Sequence, residues 1–190
     1  MRKKFSPGVI VVVLFALTAA ILAVMFYTQS SAMKRVYGNV LRKDIFSINE
    51  QTASAGELLR TDASEVDAAQ LLFAAGQLER SVPGGNIHEG YESLRLSTVD
   101  AMRAYGEAVL EGSLSADALE KLRTDAEKDV TILHGASQYL MSQLNSDNTN
   151  KMDKAYYDAM DFDASVYKRL STYLTENGWQ KTNETERGQK

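Results

Sequence analysis

GVIVVVLFALTAAILAVMFY, residues 8–27, is an uninterrupted apolar run whose one polar side chain is Thr18 and which carries no charge. At about 1.5 Å of rise per residue, a helix of this length crosses the roughly 30 Å hydrocarbon core of a bilayer. No other segment among the 190 residues is long and apolar enough to do so. The run therefore divides the chain into a short basic tail (1–7), expected in the cytoplasm, a transmembrane anchor (8–28), a helical domain (33–179) and a polar tail (180–190) expected to be disordered.

Arg2, Lys3 and Lys4 make a basic start and Ser30-Ser31-Ala32 offers small residues at a cleavage position, the two outer features of a secretory signal. The apolar stretch of a cleaved signal is only about 7–15 residues, so the full membrane length of this one predicts an uncleaved anchor. There is no cysteine to accept a lipid, which leaves the helix itself to hold the chain in the bilayer. Phe26 and Tyr27 fall where an interfacial aromatic belt belongs.

Basic residues flank the run almost evenly. Arg2, Lys3, Lys4 and the terminal amine precede it, and Lys34, Arg35, Arg42 and Lys43 follow. A charged tail of seven residues is awkward to translocate, so the expected topology is single-pass, with the amino terminus in the cytoplasm and the C-terminal domain outside the cell membrane. A bacterial envelope is the setting that fits. Ala16 with Ala20 and Ala19 with Ala23 would let two such helices approach closely and form a homodimer, although alanine is also simply common in membrane helices.

Past residue 29 the chain carries a formal charge of −7, because three of its 21 basic residues lie in the amino tail and all 25 acidic residues lie beyond the run. Such a domain is a poor ligand for nucleic acid, and no nucleic-acid partner is expected. Its wealth of Ala, Leu, Glu, Lys, Gln and Met and its two prolines, Pro7 and Pro83, favour helix throughout. The expected fold is all-α, an antiparallel up-and-down bundle of about five helices standing on the anchor.

Ile45, Ile48, Thr52, Ala55 and Leu59 define the inward face of a first helix that no proline separates from the anchor. A second helix takes in Val66, Ala69, Leu72, Phe73 and Gly76 and stops before Ser81-Val82-Pro83-Gly84-Gly85-Asn86. A third spans Glu89 to Leu110, with Leu94, Met102, Tyr105 and Val109 inward. Ser115 caps a fourth, whose stripe is Leu119, Leu122, Ala126, Leu133, Ser137, Leu140 and Leu144. A last helix is expected from Asn150 to Asn177-Gly178, with Met152, Tyr156, Ala159, Val166, Leu170 and Tyr173 facing the core.

Three residues stand out as candidate ligand or partner contacts: Asp163, Tyr157 and His134. Asp163 falls on the core-facing stripe of the last helix, and a buried carboxylate needs a partner. A basic residue on another helix, a place at the rim, or a polar ligand would each supply one. Tyr157 lies off that stripe and is exposed to a contact. His134 and His88 are the only histidines, and no metal site is expected. Asp153, Asp158, Asp161 and Asp163 are carboxylates near one another, but without the glycine and terminal glutamate of a calcium loop.

Without cysteine, Gly-x-Ser-x-Gly or a phosphate loop, a nucleophile-base pair has nothing to be built from. Neither enzyme activity nor a cofactor is expected. The chain is expected to act as a membrane-anchored interaction or scaffold module for an envelope or membrane protein partner. The alternative is a ligand-sensing ectodomain that signals through a separate membrane partner. In layout alone, a helix running straight out of the bilayer resembles the four-helix sensor domains of bacterial chemoreceptors and sensor kinases. In those, a second span carries the signal inward.

Overall fold

The computed structural model describes residues 7–61, 64–81, 88–159 and 164–179. Among these there are six helices and no strands. The first, α1 (Pro7–Leu58), is a single helix of 52 residues. It extends about 78 Å from end to end. Neither Ser30-Ser31 nor Gly38 interrupts it. Pro7 begins it, where a missing N–H costs nothing.

The two halves of α1 differ in what surrounds them. From Leu14 to Gln29 every side chain is exposed, and no other helix packs there. By length and composition α1 is the one helix, among the described residues, able to cross a membrane. Its polar Thr18 donates its hydroxyl to the carbonyl of Leu14 at 2.9 Å, so the apolar half presents no unsatisfied side-chain group at that position. From Leu41 onward the same helix is amphipathic, and Leu41, Ile45, Ile48, Thr52, Ala55 and the following Leu59 are buried, as their spacing predicts.

Caps fix the starts of the next elements. α2 (Glu65–Arg80) begins at Ser64, whose hydroxyl accepts the Asp67 N–H at 3.1 Å, with Glu65 and Asp67 at the positive end of the helix dipole. α3 (Glu89–Glu111) ends at Gly112, whose φ of 60° is left-handed backbone that glycine adopts without strain. α4 (Ala116–Leu144) starts at Ser115 as expected, and α5 (Thr149–Asp158) at Asn148, whose Oδ1 accepts the Lys151 N–H at 3.1 Å.

One expected helix is two. Instead of running from Asn150 to Asn177, the chain closes α5 at Ala159 and opens α6 (Ser165–Glu176) after Ala164, which has extended backbone angles. The two pieces have different neighbours. α5 lies on α1, whereas α6 lies on α4 and the start of α3, and one straight helix could not reach both. The remaining contacts join α2 to α3, α3 to α4, both α2 and α4 to α1, and, at the edge, α5 to α4. Ile45, Ile48, Leu71, Leu78, Leu94, Met102, Leu133 and Leu140 meet in one core with Tyr91 and Tyr156.

A second departure concerns α2. Its buried residues are Ala68, Leu71, Ala74, Ala75 and Leu78, while Val66 and Phe73, with Ala69 between them, face outward. The helix carries two apolar stripes, and the one built from three alanines with Leu71 and Leu78 packs inward, where α3 approaches closely. A Cβ on Gly106 of α3 would lie 2.9 Å from Leu72.

Candidate functional site

Tyr157 sits where α5 crosses α1, just past the exposed half of that helix. Lys34 holds its ammonium 5.2 Å from the Tyr157 ring centroid and 3.3 Å from the Asp158 carboxylate. One turn further along α1, Gly38 lets the two backbones touch, and beyond it Arg42 Nε donates to Asp153 Oδ1 at 2.8 Å. Asn39 donates its amide to both Asp153 oxygens, at 3.3 and 3.5 Å. Two of the carboxylates considered for a cation are thus neutralised by side chains of α1. Asp153 is buried with its charge paired, which is the arrangement that makes burial tolerable. Below it, burial raises the Tyr156 phenol to about 12, and its hydroxyl donates to Asn145 Oδ1 at 3.0 Å.

His134 belongs to a different place. From α4 it donates Nδ1–H to the carbonyl of Asn49 at 3.2 Å, with the Thr52 hydroxyl also 3.2 Å away, and Nε2 accepts from the Gln138 amide at 2.9 Å. These bonds pin α4 to α1. The structure does not bring His134 to Tyr157: their partners on α1 are separated by eleven or more residues, about 16 Å of helix. Asp163, Asp161 and Met160 lie outside the described residues.

Two side chains left out of the candidate contacts carry further buried polar contacts. Arg95 of α3 is 2% exposed. Its Nε and Nη2 donate to the two carboxylate oxygens of Glu92 at 2.8 and 2.5 Å, and Nη1 donates to the carbonyls of Leu78 (2.5 Å) and Glu79 (3.3 Å). The guanidinium thereby closes the negative end of α2. A signal was available, since Tyr91, Arg95, Thr98 and Met102 share one helical stripe and the first, third and fourth are core residues.

The other is His88, the cap of α3. Nδ1 accepts the N–H groups of Gly90 (3.1 Å) and Tyr91 (3.3 Å), so the proton sits on Nε2, which donates to the Ser171 hydroxyl of α6 at 2.6 Å. Tyr167 lies against the ring at 4.1 Å between centroids. Burial holds the imidazole below its ordinary 6.5, opposed by a local backbone hydrogen bond and then by the adjacent Glu89. A lowered value in the folded state means that the unfolded chain takes up the proton first. Stability is therefore complete above the ordinary value and declines as pH falls through it toward the folded value. The raised carboxyls of Asp44 and Asp129, both desolvated, act in the opposite direction and in the lower, carboxylate range. The thermal midpoint of the full chain in detergent is expected to drop between pH 7.5 and 5.5. In His88→Asn, which keeps a capping oxygen, that drop should shrink by more than half; an unchanged slope would assign it to other groups.

The outward stripe of α2 is an exposed apolar feature outside α1. Val66, Ala69, Gln70 and Phe73 join Leu110 of α3 around a shallow groove of about 550 Å³, with Glu65 at its edge. Val66 and Phe73 are 66% and 67% exposed. No protein family, curated protein or solved structure matches this chain. What the groove can do thus rests on its own chemistry. It has apolar walls, one carboxylate and no nucleophile. Among the described residues no three His, Cys, Asp or Glu side chains converge as metal ligands.

Proposed function

We propose that this chain is a membrane-anchored docking module. Its α1 crosses the bilayer, its helices form an antiparallel up-and-down bundle outside the cytoplasm, and the bundle receives another envelope protein. The observation that carries it is the double apolar face of α2: one stripe suffices for the core, and the second, with Val66 and Phe73, is left in solvent beside Leu110. An acidic domain with Glu65 at the groove favours a partner segment whose apolar residues are flanked by Lys or Arg.

The sensing alternative needs a polar cavity between helices. Where α3 and α4 face each other, Tyr91 fills the space and donates its hydroxyl to Ser137 at 2.7 Å, so that reading gains no support there.

Two measurements test the proposal. Single cysteines at Ser6, Ser113 and Asn183 should divide in intact cells, with only the last two labelled by an impermeant maleimide on a chain of uncleaved size. Labelling of Ser6 alone would put the domain in the cytoplasm. A photo-crosslinking amino acid at Phe73 should give a discrete adduct with one envelope protein, absent from the same probe at Lys121 and abolished by Val66→Glu. Equal adducts from both positions, or none, would reject docking at this face.

A further inference from the structure

We infer that the chain pairs with a second copy of itself along α1, through Met33, Val36 and Val40 just above the membrane. The inference rests on the anchored reading and places on α1 an interface separate from the groove of α2. Counting in sevens from Val40, positions Val12, Ala19, Phe26 and Met33 recur on one line, and Phe15, Leu22, Gln29 and Val36 recur three residues further on. This is the spacing of a two-helix seam, with Gln29 its one polar member. It ends at Lys43, the next residue in the series.

Within the bilayer such a line is uninformative, since every face there is apolar. Above it, the line separates apolar from polar. Met33, Val36 and Val40 are 52%, 63% and 46% exposed, with Tyr37 beside them. Lys34, Gly38 and Arg42, on the other side of the helix at the same height, are the residues against α5. The domain hangs from one side of α1 and leaves the seam open.

Three considerations select a second copy as its occupant. Lipid does not reach its upper end: Val40 stands about 20 Å beyond Tyr27 along the helix, and about 15 Å even at a 40° tilt. The headgroup layer adds only roughly 5–8 Å to the hydrocarbon core on each side. Two copies anchored in one membrane meet in parallel and at equal depth, so each seam residue faces its own counterpart, as a two-fold interface requires. The seam residues from Val12 to Val40 expose on the order of 100 Å² each, which brings the pair to roughly 800 Å² per partner, the size of a specific interface.

The absence of cysteine makes the test clean. Single cysteines are placed in the full chain at Met33, Val36 and Val40, and at Thr28 and Arg35 off the seam, and membranes are oxidised before non-reducing electrophoresis. The three seam positions should give disulfide-linked dimer at about ten times the yield of the two controls. Val36→Glu with Val40→Glu should cut the Met33→Cys yield about tenfold through like charges at the contact. Both valines are exposed, so the helical circular dichroism should not change.

Equal yields from all five positions would indicate random collision and overturn the pairing. A chain that stays with carbonate-washed membranes yet forms no seam dimer would overturn it while leaving the anchor intact. A chain released by carbonate would overturn the anchor, and the pairing with it.

Discussion

Arg95→Met is expected to lower the stability of the full chain by about 3 kcal/mol, the lower end of what breaking a buried ion pair costs. The methionine keeps most of the buried stem, so the loss is of charge and donors rather than volume. What remains is Glu92 without its fork-shaped partner, and the carbonyls of Leu78 and Glu79 at the end of α2 without a donor. Glu92 is 29% exposed and can turn toward water, which holds the expectation at the lower end of the range. The carbonyl of Leu78 cannot, since Leu78 is fully buried. Arg95→Ala adds a cavity and should cost about 1–2 kcal/mol more.

Arg95→Lys is not a conservative change here, because one ammonium cannot hold both carboxylate oxygens and a carbonyl on the far side in a single plane. It should recover less than half of the methionine variant's loss. Glu92→Gln in the Arg95→Met background should cost less than it does alone, the signature of two groups that act as a pair. Urea unfolding of the detergent-solubilised chain reads all of these, and a loss below about 1 kcal/mol for Arg95→Met would show that the guanidinium's desolvation cancels its bonds.

Where one side of a helix is plainly more apolar than the other, as in α4 and the upper half of α1, spacing alone located the core: Ile45, Ile48, Thr52, Ala55 and Leu59 are all buried. The cap at Ser115 was equally legible, because a hydroxyl before an acidic first turn has a local purpose. α2 defeated the same reasoning. Ala68, Leu71, Ala74, Ala75 and Leu78 pack inward and Val66 and Phe73 do not, and which stripe wins is decided by the closeness of α3 at Gly106, a tertiary fact absent from the helix's own residues.

The break between α5 and α6 was hidden for a related reason. The core-facing spacing runs on from Met152 to Tyr173 with Asp163 as its one charged member, while the first half packs mainly on α1 and the second mainly on α4. Of the candidate contacts, Tyr157 and His134 were noticed as isolated side chains. Their partners, Lys34 for one and Asn49 and Thr52 for the other, lie more than 80 residues away, and no local pattern announces them.

The glycines of α1 offer the sharpest contrast, because one substitution should have opposite signs at two positions of the same helix. In the abstract, Gly→Ala inside a helix stabilises by about 0.5–1 kcal/mol, through reduced freedom of the unfolded chain. Gly56 should follow that rule, since a Cβ there meets Val130 at 3.7 Å, an ordinary contact. Gly38→Ala should not. Its Cβ would fall 1.7 Å from the carbonyl oxygen of Asp153 and 2.6 Å from its carbon. These are backbone atoms of α5, which cannot yield as the end of a side chain can, so α5 as a whole must move off. The Arg42–Asp153 and Lys34–Asp158 pairs go with it, and Leu41 and Tyr156 lose their cover. Because α5 touches little besides α1, the damage should stay local. Hydrogen exchange of residues 149–158 should speed up by about a hundredfold, equivalent to about 3 kcal/mol, while α3 and α4 keep their protection. A Gly38→Ala chain whose α5 remains as protected as before would mean that the two backbones do not touch at this crossing, and the polar contacts around Asp153 would then have to be what holds α5 against the middle of α1.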